Sequence, residues 1–222
     1  MRPFADRHEA GRILSGLLAG MANQPDTIVL ALPRGGVPVA AEIASDLNLP
    51  LDVFAVRKIG APQNEELAIG AIASGGIVRL DPEMVAMSGA TAEQLDATIG
   101  REKSELERRE REYRDDRPEP VLAGKTVVLV DDGMATGSTM LAAVQAVRER
   151  QPARVIVAVP VASREAVTRL RQEHVECRAV VTPELLFAVG AWFQDFAPTT
   201  DEEVRRLLGP FADGRAAGSL AR

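Results

Sequence analysis

The sequence predicts an α/β fold in which a doubly wound, mostly parallel sheet of about five strands is flanked by helices. Runs of apolar and β-branched residues at 27–32, 51–56, 127–130 and 154–159 have the length and composition of buried strands. Most of them lead through a turn into a helical pattern, which is the order of βαβ units with right-handed crossovers. Hydrophobic residues make up 46% of the chain, enough for a sizeable core.

Length and composition narrow the class of protein. The 222 residues fit one domain, 1–222, and 26 basic against 32 acidic residues, net charge −6, argue against a general nucleic-acid binder. The single cysteine, Cys177, excludes an internal disulfide and fits a reducing compartment. No apolar run approaches the ~20 residues that span a bilayer, and the polar N-terminus is not a signal peptide. We therefore expect a cytoplasmic protein that binds neither nucleic acid nor membrane.

The stretch 126–140 carries the strongest functional signal. Its strand ends at two adjacent carboxylates, Asp131 and Asp132, and a turn of small residues then leads into a helix. Ligands of open α/β sheets bind beyond the carboxyl ends of the strands, and such a turn at a helix N-terminus directs backbone N–H groups at an anion. The phosphate-binding candidates are Ala135, Thr136, Gly137, Ser138 and Thr139. The carboxylates suit ribose hydroxyls or hydrated Mg²⁺, so the expected ligand is a phosphorylated sugar with a metal.

This order of a hydrophobic strand, two acidic residues and a Thr-Gly-rich turn resembles the 5-phosphoribosyl-1-pyrophosphate (PRPP) binding motif of the type I phosphoribosyltransferases. The Ala-Thr-Gly at 135–137 is most similar to the motif of the adenine phosphoribosyltransferases. The resemblance implies that PRPP binds with Mg²⁺ as cofactor, with ribose and metal on Asp131 and Asp132. It also implies transfer of phosphoribose to a small nitrogenous, purine-like acceptor with release of pyrophosphate. The alternative is an ordinary strand–turn–helix whose carboxylates are solvated.

A second turn follows the strand 27–32 and contains Arg34, Gly35 and Gly36. Paired glycines let an anion approach backbone N–H groups closely, and an arginine donates two parallel hydrogen bonds to phosphate oxygens. In the phosphoribosyltransferases the corresponding loop binds pyrophosphate, which is the role that the resemblance implies here. A tight turn without a ligand is the alternative.

Two cations, Arg57 and Lys58, follow the predicted second strand, 51–56. At the carboxyl end of a strand, beside two phosphate-binding turns, they are well placed to neutralise pyrophosphate. The pair resembles one in the adenine and xanthine enzymes that contacts PRPP, and Lys58 is the stronger candidate. The alternative is a solvated basic pair.

Residues 59–67 have turn composition and no periodicity, which predicts a mobile loop, and 68–80 predict a hairpin that turns at 74–76. A loop near this position closes over the reacting centre in the family. Adenine enzymes also use a loop glutamate near the base, a role that Glu65 or Glu66 could fill. Solvated loop charges are the alternative. The candidate catalytic residues are therefore Asp131, Asp132, Lys58, Glu65 and Glu66.

A long charged helix is predicted over 91–117, opened by a capping box of Thr91 and Gln94. Its apolar stripe is thin, consisting of Leu95, Ile99 and Leu106. Together, 59–117 form a loop, hairpin and helical insertion that departs from the compact purine enzymes. We expect the helix to lie across the domain as a lid, or against the second subunit of a homodimer.

The segment 183–208 is predicted to form a small hood and a C-terminal helix. Its Phe-Ala-Val-Gly sequence before an aromatic residue and an aspartate resembles the hood of the hypoxanthine-guanine enzymes. The resemblance implies that Val189 and either Trp192 or Phe193 bind the acceptor, and that Asp195 helps to hold Mg²⁺. A core role for the tryptophan is the alternative.

The main rival function is a regulatory protein that binds PRPP or a nucleotide on the same fold without turnover. Retention of Arg34, Lys58 and a hood favours an enzyme. A phosphoacceptor domain built on the two aspartates is disfavoured, because such domains use the aspartate as a nucleophile and do not need a phosphate-binding turn.

Overall fold

A parallel sheet of five strands forms the centre of the protein in a computed structural model, which describes residues 3–115 and 117–212, apart from the side chains of residues 65 and 66. In chain order the strands are β1 (Thr27–Ala31), β2 (Leu51–Val53), β3 (Val56–Ala61), β4 (Asn64–Ala73), β5 (Ile77–Leu80), β6 (Thr126–Val130), β7 (Arg154–Val161) and β8 (Glu176–Val181). The central sheet has the order β2-β1-β6-β7-β8, and every neighbouring pair is parallel. The predicted fold class is confirmed.

Helices cover both faces of this sheet. They are α1 (Arg7–Leu17), α2 (Gly36–Leu47), α3 (Pro82–Ser88), α4 (Ala92–Arg114), α5 (Ser138–Arg148), α6 (Arg164–Gln172) and α7 (Asp201–Leu208). Because side chains alternate along a strand, Val29 and Val128 pack with α1 and α2, whereas Leu30 and Leu129 pack with α5 and α6. Burial on both faces accounts for the continuous apolar runs in the strands. No helix in the described part of the chain is long and apolar enough to cross a membrane.

A second sheet, antiparallel with the order β3-β4-β5, lies between β2 and β6 in the chain. The mobile loop predicted at 59–67 is therefore wrong, since these residues form the β3–β4 hairpin. Ile59, Ile69 and Ile72 are fully buried against Leu106 of α4, and this packing supplies the order that the local sequence does not indicate. The second strand also ends earlier than predicted, at Val53. The β4–β5 hairpin, the α4 helix and its capping box are confirmed.

The long helix α4 covers the small sheet and is tied to the main one through Arg114. The guanidinium of Arg114, with only 4% of the side chain exposed, donates to Asp52 at 3.0 Å and to the Val53 carbonyl at 2.7 Å. It also lies 3.4 Å from Glu110, which accepts a hydrogen bond from the buried Ser74 hydroxyl. Burial raises the pKa of Glu110 despite these two partners. The network fixes the insertion against the end of β2.

Candidate functional site

The two predicted binding turns meet at one edge of the central sheet, because β1 and β6 are neighbours and end side by side. The approach is so close that a Cβ on Gly36 would lie 2.6 Å from the Val130 carbonyl oxygen and 2.9 Å from Asp131 Cα. A Cβ on Gly35 would overlap the Asp132 carboxylate. Position 36 therefore requires glycine, because its obstacles are backbone atoms, and the structure brings the predicted pyrophosphate turn into contact with the acid pair.

The two carboxylates of the acid pair lie in a partly buried, like-charged environment. Asp131 accepts a hydrogen bond from the Asp132 backbone N–H at 2.8 Å. Burial and the neighbouring charge of Asp132 raise the pKa of Asp131 well above its usual range. Burial also raises the pKa of Asp132, although the nearby Arg7 opposes that shift. A cation or a set of hydroxyl donors would favour the charged pair, so the site is suited to either.

Arg7, at the start of α1, was not selected from the sequence. Its Nε and Nη2 lie 2.9 and 2.8 Å from Asp132 Oδ2, and its Nη1 donates to the Ala197 carbonyl at 2.9 Å. Residue 7 lies 125 positions from its carboxylate partner, and no local motif marks it.

The predicted phosphate turn, 135–139, leads directly into α5, which begins at Ser138. Gly137 has φ +75°, a left-handed conformation that favours glycine, and a Cβ there would lie 3.1 Å from Ala166 Cβ. The Thr136 hydroxyl accepts from the Ser138 N–H at 3.4 Å. The first N–H groups of a helix have no partner within the helix, so those of α5 and the helix dipole can both attract an anion to this turn.

Helix α6 and its N-cap residue donate hydrogen bonds to two carbonyls of the phosphate turn. The Ser163 hydroxyl, which also caps α6, donates to the Ala135 carbonyl at 2.5 Å. Arg169 donates to the Thr136 carbonyl at 2.9 Å, which places a guanidinium against the turn. Neither residue was selected from the sequence, because both belong to the next βα unit along the chain.

Arg34 lies at the tip of its turn, preceded by a cis peptide bond after Pro33. Its side chain is 46% exposed, and Nη1 lies 3.7 Å from Asp201 Oδ1 at the start of α7. The Tyr113 hydroxyl donates to the same Asp201 oxygen at 2.5 Å. The predicted pyrophosphate arginine thus contacts a carboxylate of the C-terminal helix.

The placement predicted for Arg57 and Lys58, at the carboxyl end of a strand in the main sheet, is wrong. Both lie within β3, where Arg57 donates to Glu102 of α4 at 2.7 Å. Lys58 is exposed and lines a cavity of about 400 Å³ together with Arg57 and residues of α4, among them Glu102.

The two glutamates proposed as loop acids, Glu65 and Glu66, lie in β4, not in a loop. Their side chains lie outside the described part of the structure.

The hood lies against the turn that follows the acid pair through Val189, whose Cγ1 occupies the space that a Cβ on Gly133 would need. Trp192 is half-buried, and Phe193 is only 7% exposed, packed on two other phenylalanine rings at 5.5 and 4.9 Å between centroids. Phe193 therefore has no free ring face. Phe187, which was not selected from the sequence as a stacking residue, is 91% exposed.

A model of the phosphoribosyl transferase domain matches residues 7–191, which includes both turns, the acid pair and part of the hood. The chain belongs to this family. A Mycobacterium tuberculosis H37Rv protein, provisionally named a phosphoribosyl transferase, is 42% identical to it over 208 residues, covering 94% of this chain. The match covers 47% of the relative, so the chain spans about half of that protein's length.

Solved structures are similar to this chain in fold. The crystal structure of TT1426 from Thermus thermophilus is 45% identical in sequence with a TM-score of 0.82, covering 96% of this chain and 100% of that one. A hypothetical protein of Neisseria gonorrhoeae, crystallised with bound ppGpp, has 17% identity and a TM-score of 0.51 over 91% of both chains. At that identity the likeness extends to the fold alone.

The three-carboxylate metal set predicted for this phosphoribosyl transferase domain is not formed. Asp195 is exposed, and its Oδ1 accepts from the Ala197 N–H at 2.9 Å. Within residues 3–115 and 117–212, no group of three or more His, Cys, Asp or Glu side chains is arranged to hold a metal. Of the three predicted metal ligands, Asp131 and Asp132 therefore remain the candidates.

Proposed function

We propose that the chain binds PRPP with Mg²⁺ and transfers its phosphoribosyl group to a nitrogenous acceptor, releasing pyrophosphate. The observation that carries this proposal is the contact between the Gly35–Gly36 turn and the acid pair, beside the phosphate turn. The turn at 135–139, the acid pair and the Gly35–Gly36 turn lie side by side at one sheet edge, and this arrangement supports recognition of the phosphate, the ribose hydroxyls and the pyrophosphate of PRPP.

Each part of PRPP has a matching element. The 5′-phosphate would accept from the N–H groups of 135–139, with Arg169 adding positive charge behind the turn. The ribose hydroxyls would donate to Asp131 and Asp132. The pyrophosphate would lie against Gly35 and Gly36, where backbone N–H groups can approach it closely. Arg34 would exchange Asp201 for pyrophosphate oxygens.

The donor set fits Mg²⁺ that arrives with the substrate. Mg²⁺ in phosphate sites usually keeps several waters and binds one or two carboxylates plus substrate oxygens, which is what Asp131 and Asp132 can provide. A cage made only of protein ligands would need the third carboxylate that Asp195 does not supply. When bound, the metal would neutralise charge on the pyrophosphate.

In the reaction, the lone pair of an acceptor nitrogen forms a bond to C1 and this nitrogen releases its proton to water. The bond from C1 to the pyrophosphate oxygen breaks, and both of its electrons leave with pyrophosphate. The chain's contribution is to hold the reactants in line and to stabilise the growing negative charge on the leaving group. Arg34 and the N–H groups of its turn serve the second purpose. The two carboxylates stabilise the positive character that develops on the ribose.

A flat, purine-like acceptor is the acceptor class that the hood favours. Phe187 presents a free ring face, and Val189, also in the hood, contacts the turn after Asp132. Stacking on an exposed aromatic ring selects planar bases without specifying their edge groups. The acceptor's identity therefore has to come from a screen across nucleobases.

The test is a calorimetric titration of PRPP with Mg²⁺ into the wild-type chain and into Asp131→Asn/Asp132→Asn, followed by a pyrophosphate-release screen across nucleobases. Asp26→Asn is the control, since this exposed aspartate precedes β1 at the opposite sheet edge. We expect binding in wild type and control, loss in the double variant, and release with one class of base. Binding without release would favour the regulatory alternative, and absence of binding would refute PRPP recognition.

A further inference from the structure

We infer that Arg7 is a positioning residue that fixes the ribose-binding carboxylate Asp132 and connects it to the hood. The inference rests on the proposed function, because it assigns Asp132 to the ribose. It concerns a residue of α1, outside both turns and outside the predicted hood.

The contact between Arg7 and Asp132 has the features of a fixed ion pair. Two guanidinium nitrogens, Nε and Nη2, approach the same oxygen, Oδ2, at 2.9 and 2.8 Å. The side chains are only 11% and 17% exposed, so water screens the pair less than it would on the surface. Because both contacts use Oδ2, they set the rotation of the carboxylate and leave Oδ1 for a ligand.

The guanidinium is itself fixed from the hood side. Its Nη1 donates to the Ala197 carbonyl at 2.9 Å, and its carbon lies 3.8 Å from the centroid of the Phe196 ring. Phe196 packs in turn on Gly190, where a Cβ would lie 2.7 Å from the ring. A planar cation that stacks on a ring and donates through three nitrogens to two partners fits this arrangement, whereas a lysine ammonium does not.

The contacts therefore form a continuous path from the hood through Arg7 to Asp132, and on to Gly35 of the pyrophosphate turn. Without Arg7, two adjacent carboxylates would repel each other and Asp132 could rotate. The direct consequence would fall on the ribose. The pyrophosphate turn keeps its own contact with the end of β6 through Gly36, so it should be affected much less.

The experiment compares two fragments of PRPP as calorimetric probes, ribose 5-phosphate and inorganic pyrophosphate, each with Mg²⁺. The variants are Arg7→Met and Arg7→Lys. The control is Arg12→Met on the same helix, since the Arg12 side chain is 52% exposed and pairs only loosely with Glu42 at 3.4 Å. Thermal unfolding without ligand monitors the integrity of each variant.

We expect Arg7→Met to weaken ribose 5-phosphate binding by about tenfold or more, the scale of one lost charged hydrogen bond. Pyrophosphate binding should change by less than about threefold, and Arg7→Lys should fall between Met and wild type. Arg12→Met should match wild type with both probes.

Three outcomes would overturn the inference while leaving the proposed function intact. Equal weakening of both probes, with a lower melting temperature, would show a merely structural ion pair. Tighter ribose 5-phosphate binding in Arg7→Met would show that Arg7 competes with the ribose, and unchanged binding would show no role. If the wild type bound neither PRPP nor ribose 5-phosphate, the proposed function would fail first, and the inference with it.

Discussion

Gly36→Ala tests the close approach on which the site depends. The new Cβ would lie 2.6 Å from the Val130 carbonyl oxygen and 2.9 Å from Asp131 Cα, whereas real Cβ atoms essentially never come within 3.0 Å. Both obstacles are backbone atoms, so no side-chain rotation relieves the overlap, and the two turns must separate by at least about 0.4 Å. Overpacking of this kind costs about 1–3 kcal/mol in the free energy of unfolding. The displaced atoms carry the acid pair, so PRPP affinity should also fall.

The assay is urea denaturation of wild type and variant, with calorimetric titration of PRPP on the same preparations. Gly100→Ala is the matched control, because nothing lies within 4 Å of a Cβ at that position in α4. There the substitution should raise the free energy of unfolding by about 0.5–1 kcal/mol through helix propensity, and leave PRPP binding unchanged. A Gly36→Ala protein with wild-type stability and PRPP affinity would refute the steric argument.

Three further outcomes are expected. Arg114→Met should lower the free energy of unfolding by about 3–5 kcal/mol in urea, because it leaves the buried Asp52 carboxylate without its partner. Phe193→Ala should cost about 3–5 kcal/mol, whereas Phe187→Ala should stay within about 0.5 kcal/mol of wild type and instead slow acceptor-dependent pyrophosphate release. Glu110→Gln should gain stability relative to wild type as pH rises above the carboxyl's usual value of 4.5. The pKa of Glu110 is higher in the folded than in the unfolded wild type, so the wild type loses stability as pH rises from 4.5 toward the folded pKa. Urea denaturation at several pH values can measure this difference.

Each of these expectations has a contrary result. Arg108→Met is the control for Arg114, since the pairs of Arg108 along α4 are exposed to solvent and should contribute little to stability. Equal losses in the two variants would mean that burial of the Arg114 network is unimportant. Unchanged release in Phe187→Ala would remove the stacking role. A Glu110→Gln difference that is flat with pH would mean that this carboxyl is not perturbed on folding.

A sequence can reveal those parts of the site whose residues are adjacent in the chain. Asp131, Asp132 and the turn that follows them were identified because a strand end, an acid pair and a helix start occupy a single short segment. Arg7 could not be identified in this way, because its partner lies 125 residues away and only the packing of α1 brings them together.

The fold shows the same limit. Residues 59–67 lack periodicity, and they become strands only because Ile59 packs beneath Leu106 of α4, which lies far along the chain. In the hood, the sequence does not distinguish a buried aromatic residue from an exposed one. Phe193 is covered because Phe4 pairs with it, a contact between opposite ends of the chain.

The pairing of β1 with β6 places residues such as Thr27 and Thr126, about 100 positions apart, in register. The chain between them is a closed loop in the folded state, and the entropy of closing such a loop grows only with the logarithm of its length. Doubling it would cost only about 0.6 kcal/mol. Insertions between β2 and β6 therefore add little to the entropy cost of closing this loop, and they leave the pairing of β1 with β6 unchanged. Relatives can diverge in that segment while the binding edge stays constant.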